Sequence, residues 1–231
     1  RFSIPLKTTP ISYCSFTAQS PTAALIRLAK VVIWDEASMI SRNLVNTVDL
    51  SLRDTMQSVD PDLANVPFGG KIFIFGGDFR QVLPIVPRGT RTDIIEQCLN
   101  QWPLWQYVQQ KPLRVNMRVM QAQNGDNNEA GGPLEDFSRY LLNVGNGVIP
   151  TVDDTEYINI PTNSVIPDGE YSNLASYVYN SFADESDRTF ESLGSRAILA
   201  PTNVKVNEIN DYLLNQFSDE DATRSEEHTS E

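Results

Sequence analysis

Two short, largely apolar runs stand out along the chain, Val31-Val32-Ile33-Trp34 and Lys71-Ile72-Phe73-Ile74-Phe75. Such runs read as strands of a parallel sheet buried on both faces. A third strand is expected to lead into Leu113-Arg114-Val115-Asn116-Met117-Arg118, and residues 196–200 form a further apolar run. Between these runs the spacing turns helical. Residues 23–29 read as a short helix. Ser41 offers an N-cap to Leu44, Val45, Val48, Leu52 and Met56, leaving Arg42, Asp49 and Arg53 on polar faces. Helices are also predicted over 92–99, 134–144 and 173–182. A last one opens at Pro201-Thr202-Asn203 and carries Val206, Ile209, Leu213 and Phe217. Prolines break 148–170 into short strands, and 121–133, rich in Asn, Gly and Gln, reads as a flexible loop or inter-domain linker. Alternating strands and helices give an α/β class with a mainly parallel sheet.

Composition narrows the chemistry. The 231 residues, 40% hydrophobic, suffice for one large domain or two modest ones. Cys14 and Cys98 lack partners at metal-ligand spacing and read as unpaired thiols in a reducing compartment. The sole histidine is His228 near the end, so histidine-based catalysis is excluded within this chain. A net charge of −12 argues against a surface that grips nucleic acid throughout, while leaving room for a narrow basic channel. Trp102, Leu104 and Trp105 are expected to fill core.

The first strand ends in Asp35-Glu36 and then small residues. Ligands gather beyond the carboxyl ends of parallel strands. Two acids there call for a cation, and Mg²⁺ with a nucleotide phosphate fits. The hydrophobic-strand-plus-acids pattern is that of a Walker B motif, in which one carboxylate holds the metal's hydration shell and its neighbour activates water. Alone the pattern is weak. The second strand ends in Gly76-Gly77-Asp78-Phe79-Arg80-Gln81, with glycines that let the backbone turn and come close to a ligand. This would place Gln81 beside the first strand's mouth, where a carboxamide can both donate to phosphate and accept from water. Arg118 supplies a guanidinium suited to charge developing in phosphoryl transfer.

The ordered motifs VVIWDEASM, IFGGDFRQVLPIV, LRVNMR and RAILAPTNVKVNEIN resemble the Pif family of superfamily-one DNA helicases, nearest its Helitron-type transposon branch. The resemblance covers most of 1–217. It implies RecA-like P-loop ATPase lobes, both incomplete here: 1–112 as the later part of the first, 113–223 as the start of the second. It implies Asp35 as the metal acid, Glu36 as the water-activating acid, Gln81 as γ-phosphate sensor and Arg118 as arginine finger, with all of them contributing to ATP binding. It further implies ATP-driven 5′-to-3′ translocation on single-stranded DNA, unwinding of duplex DNA, a monomeric enzyme and a nuclear location.

No G-x-x-x-x-G-K-[ST] loop occurs in the chain, so it is expected neither to bind ATP tightly nor to unwind DNA alone. Residues 224–231, RSEEHTSE, match one reading frame of a common sequencing-library adaptor and are expected to be an artefact of that kind. Two other readings stand beside the helicase: a non-catalytic remnant of a decayed transposon, and another P-loop ATPase that does not act on DNA.

Overall fold

The computed structural model describes residues 2–123, 131–153, 155–166, 169–179 and 189–215. The chain divides into two compact units, Arg1–Ile149 and Pro150–Glu231.

In the first unit, β1 (Val31–Trp34) and β2 (Ile72–Phe75) pair in parallel, with Val31 opposite Ile72 and Trp34 opposite Phe75. The α/β class with a parallel sheet is therefore present. The strands are not buried on both faces, however. Val31 and Ile33 are 47% and 74% exposed, and Ile72 and Ile74 are 61% and 50% exposed. With two strands and cover on one face only, alternate side chains (Val32, Trp34, Phe73 and Phe75) are sheltered.

The sheltering element is α2 (Arg42–Met56), whose Ser41 cap accepts from the Leu44 N–H at 3.2 Å. Its Val45, Val48, Leu52 and Met56 are buried as the spacing predicts. The helix is buried more widely than that. Thr47, Ser51 and Thr55 repeat every fourth residue on a second buried stripe, and each hydroxyl donates to the carbonyl four residues back. Asp49, expected on a polar face, is 2% exposed. It receives the Phe68 N–H and an ion pair from Arg53 at 2.8 Å. These bonds satisfy a carboxylate that burial would otherwise penalise.

Around this centre Phe68 stacks on Phe73 at 3.7 Å between ring centroids and tilts against Trp102 at 5.4 Å. Trp102 is buried, as expected of a core residue, and its indole N–H donates to Asn46 Oδ1 at 3.2 Å. Leu104 and Trp105 are half-buried against the same core. Both cysteines are buried and unpaired. Helix α1 (Pro21–Leu28) precedes β1, and α3 (Arg91–Gln97) carries a capping box between Thr90 and Asp93. The third strand does not form: 108–116 joins no ladder and runs into α4 (Met117–Gln123). Helix α5 (Gly131–Gly145) follows, covering the predicted helix, while most of the proposed loop lies outside the described residues.

Where short strands are expected over 148–170, the described residues show one bridge, Thr151 with Ile158, and one 3-10 turn. Helices α6 (Tyr171–Val178), α7 (Phe190–Gly194) and α8 (Asn203–Leu214) follow. Tyr171 and Lys205 both bond the Glu208 carboxylate, tying α6 to α8. Residues 196–200 are not in a ladder. Phe182, Phe217 and 224–231 lie outside the described residues. Among those described, no helix is long and apolar enough to cross a membrane.

Candidate nucleotide site

The carboxyl end of β1 turns at once. Glu36 adopts a left-handed backbone (φ 53°), and a 3-10 turn over Ala37–Met39 follows. A non-glycine residue in that region carries strain that local bonds must offset. Here the Glu36 N–H donates to Asp35 Oδ1 at 3.0 Å, and Ala37 N–H donates to Gly76 O at 2.7 Å. Gly76 N–H in turn donates to Trp34 O at 2.9 Å. The two strand ends are thus stitched to each other.

That stitching explains the glycine pair differently from the sequence reading. A Cβ on Gly76 would stand 3.2 Å from Asp35 Oδ1, and one on Gly77 would stand 2.9 Å from the Ser38 backbone nitrogen. The glycines make room for the end of β1, not only for a ligand. Beyond them, Asp78 accepts from the Arg80 N–H at 3.0 Å through its side chain and from the Gln81 N–H at 3.1 Å through its carbonyl. This turn holds Gln81 exposed, on the loop fastened to the Asp35-Glu36 end.

Arg118 lies in the first turn of α4 and is exposed. Among the described residues, no hydrogen bond or ion pair joins it to Asp35, Glu36 or Gln81. The strand-end bonds bring Asp35 and Glu36 to the loop bearing Gln81, and among the described residues none of those bonds involves Arg118. Asn116 fixes where α4 begins: its Oδ1 accepts from the Arg118 and Val119 N–H groups at 3.1 and 3.3 Å.

Asp35 and Glu36 are both exposed, hard oxygen donors. A Mg²⁺–nucleotide site takes one or two carboxylates and completes its shell with water and phosphate oxygens. The pair fits that role. No group of three or more His, Cys, Asp or Glu side chains stands ready for a metal among the described residues, so an all-protein cage is not formed there.

Sequence reasoning missed Ser38. Its hydroxyl is buried with no hydrogen-bond partner, and it lies beside Gly77. The small residues after Asp35-Glu36 were visible, but an unsatisfied hydroxyl leaves no mark in a pattern.

Residues 1–155 match the family described as PIF1-like helicase. The chain belongs to that family. No curated protein matches it. Among solved structures it is similar to a Bacteroides Pif1 bound to ssDNA, at 22% identity over 46% of this chain and 25% of that one, with a TM-score of 0.36. It is also similar to a Bacteroides sp Pif1 in complex with ADP-AlF4, at 20% identity over 53% of this chain and 30% of that one, with a TM-score of 0.37. A third likeness is to two coordinating Pif1 helicases at forked dsDNA, at 20% identity over 53% and 31% of the respective chains, with a TM-score of 0.37. The PIF1-like chain thus spans less than a third of each of these structures.

Proposed function

We propose that this chain forms part of an ATP-dependent DNA helicase that moves 5′ to 3′ on single-stranded DNA and unwinds duplex DNA. The reading rests on family membership and on one observation: the β1 end bearing Asp35 and Glu36 is stitched to the loop bearing Gln81. In this reading residues 1–112 belong to one RecA-like lobe and 113–223 to the next. Repair, recombination or transposon replication in the nucleus are the settings that the resemblance implies.

Asp35 would hold the hydration shell of a magnesium ion bound with ATP, and such an ion would supply neutralisation of phosphate charge. Glu36, one residue on, orients and deprotonates the attacking water. Gln81 bonds the γ-phosphate and the water together, and its loop passes the state of the nucleotide to β1. Arg118 offsets the charge that develops on the transferred group, a contribution on the order of 10³–10⁵ in rate for such arginines.

The test is made in a protein that joins this chain to a phosphate-binding lobe. Glu36→Gln should abolish DNA-stimulated ATP hydrolysis while ATP still binds. Unchanged turnover would remove Glu36 from the chemistry.

A further inference from the structure

The motif carrying Gln81 and the motif carrying Arg118 are far apart in sequence, yet both are fastened to the segment made of α5 and Asn146, the residue that follows it. At one end, Asn116 uses both faces of its amide. Its oxygen caps the helix bearing Arg118, and its Nδ2 donates to Ser138 Oγ on α5 at 2.9 Å. At the other end, Arg80, the residue before Gln81, donates from Nε to Asn146 Oδ1 at 2.7 Å. The stem of Arg80 crosses Gly145 so closely that a Cβ there would stand 2.9 Å from Arg80 Cβ.

Ser138 and Gly145 are seven residues apart. In a helix that is two turns, so both lie on the same face, about 10 Å apart along the axis. The two attachments therefore engage one side of a single rigid element. Neither attachment is needed merely to cap or bury something. Asn116 caps α4 without Ser138, and Arg80 already has Asp78 nearby at 3.6 Å.

We infer that α5 is a strut that sets Arg118 and Gln81 relative to each other, with Asn116 and Ser138 as positioning residues at one end and Arg80 and Asn146 at the other. The strut rests on the roles proposed above for Gln81 and Arg118. Its consequence is that a shift of the Gln81 loop on meeting the γ-phosphate is carried along α5 to the start of the Arg118 helix. Coupling through a packed helix and hydrogen bonds of this kind shows as non-additive mutational effects.

The experiment is a double-mutant cycle in a protein joining this chain to a phosphate-binding lobe. Arg80→Ala and Ser138→Ala are each expected to lower kcat for DNA-stimulated ATP hydrolysis about tenfold through misplaced groups, with KM for ATP nearly unchanged. The double variant should be no slower than the slower single one. Multiplied losses would overturn the strut. Asn116→Ala should also slow turnover, and Asn116→Asp should restore it, because a carboxylate still caps α4 and accepts from the Ser138 hydroxyl. Failure of that rescue counts against the strut.

Amide hydrogen exchange separates the strut from the proposed roles. In both Arg80→Ala and Ser138→Ala, exchange should rise at 78–81 and at 117–120 together, whatever happens to turnover. A rise confined to the mutated end sinks the strut. Unchanged turnover in Gln81→Ala and Arg118→Ala, with exchange still coupled, sinks the roles and spares the strut.

Discussion

The carboxylate of Asp49, inside α2, accepts the backbone N–H of Phe68, nineteen residues on. Phe68, Gly69 and Gly70 all have positive φ, so the chain reverses through a left-handed run just before β2. Gly69 is forced there, since a Cβ would stand 2.7 Å from Leu52 O. Asp49 is the clamp that holds this reversal against the helix, with Arg53 balancing its charge. Asp49→Ala leaves a buried N–H unsatisfied and strands Arg53, and is expected to destabilise the first unit by about 3 kcal/mol. Asp49→Asn keeps an acceptor and should lose less. Urea unfolding of the two variants checks the order; equal losses would refute the clamp.

At the junction of the two strand ends, Gly77→Ala pushes a methyl group into the Ser38 backbone. Overpacking against backbone of this kind costs about 1–3 kcal/mol. Gly132→Ala serves as the comparison, because nothing stands within 4 Å of its Cβ and it lies in α5. That change should be neutral or stabilise by about 0.5 kcal/mol. Thermal melts that rank the two in the opposite order would contradict the stitched geometry.

Ser38 carries a buried hydroxyl without a partner, which costs about 1–3 kcal/mol relative to a satisfied one. Ser38→Ala is therefore expected to raise stability by about 1 kcal/mol. A loss of stability on chemical denaturation would mean that the hydroxyl is bonded in solution.

Acid should loosen two local features. Hydrogen bonds from the Thr90 side chain and backbone hold the Asp93 carboxyl below its usual range. Bonds from Lys205 first, then Tyr171, do the same for Glu208. A carboxyl depressed in the folded state contributes stability that is fully present above its unfolded pKa and is lost as pH falls through the folded one. Both groups are exposed, so each contribution is small. The cap of α3 and the tie between α6 and α8 should thus hold from neutral pH to about pH 4 and weaken below it. Amide exchange in α3 that is flat across this window, or equally acid-sensitive in Asp93→Asn, would rule out the cap as the cause.

Burial raises the Cys14 thiol above its ordinary range despite a bond from Ser51, and does the same for Cys98. Thiolate is the reactive form, so neither should alkylate appreciably at pH 7.5 in the folded chain, and both should react once it is unfolded. Rapid native labelling would show that one of them is accessible.

Helices were the most legible part of the chain: α2 buries its stripe at the spacing the sequence displays, and α5 forms over the predicted residues although Leu134, Phe137 and Leu141 stay exposed. The two strands were legible as elements, but their cover was not. An unbroken run such as Val31 to Trp34 is what a doubly covered strand looks like, whereas in this chain Ile33 faces outward. Asp49 was misplaced for a related reason. Periodicity assigns a charge to the outer face and cannot anticipate an N–H arriving from a distant turn. At the candidate site, the strand end bearing Asp35 and Glu36 and the glycine loop bearing Gln81 could be picked out as neighbours from the two strand runs taken together. The attachment of Arg80 and Asn116 to α5 depends on tertiary contacts between residues 22 and 66 positions apart. Spacing says nothing about such pairs.

The outward row of Val31, Ile33, Ile72 and Ile74 has a practical consequence for anyone handling this polypeptide. Among the described residues the ladder has two strands, each with an edge that meets no third strand, and those edges flank a strip of exposed aliphatic side chains. That combination is a template for self-association. Expressed by itself, the chain is expected to gather into insoluble material as its concentration rises. Charged substitutions at Ile33 and Ile74 should delay the onset without disturbing the buried side of the ladder.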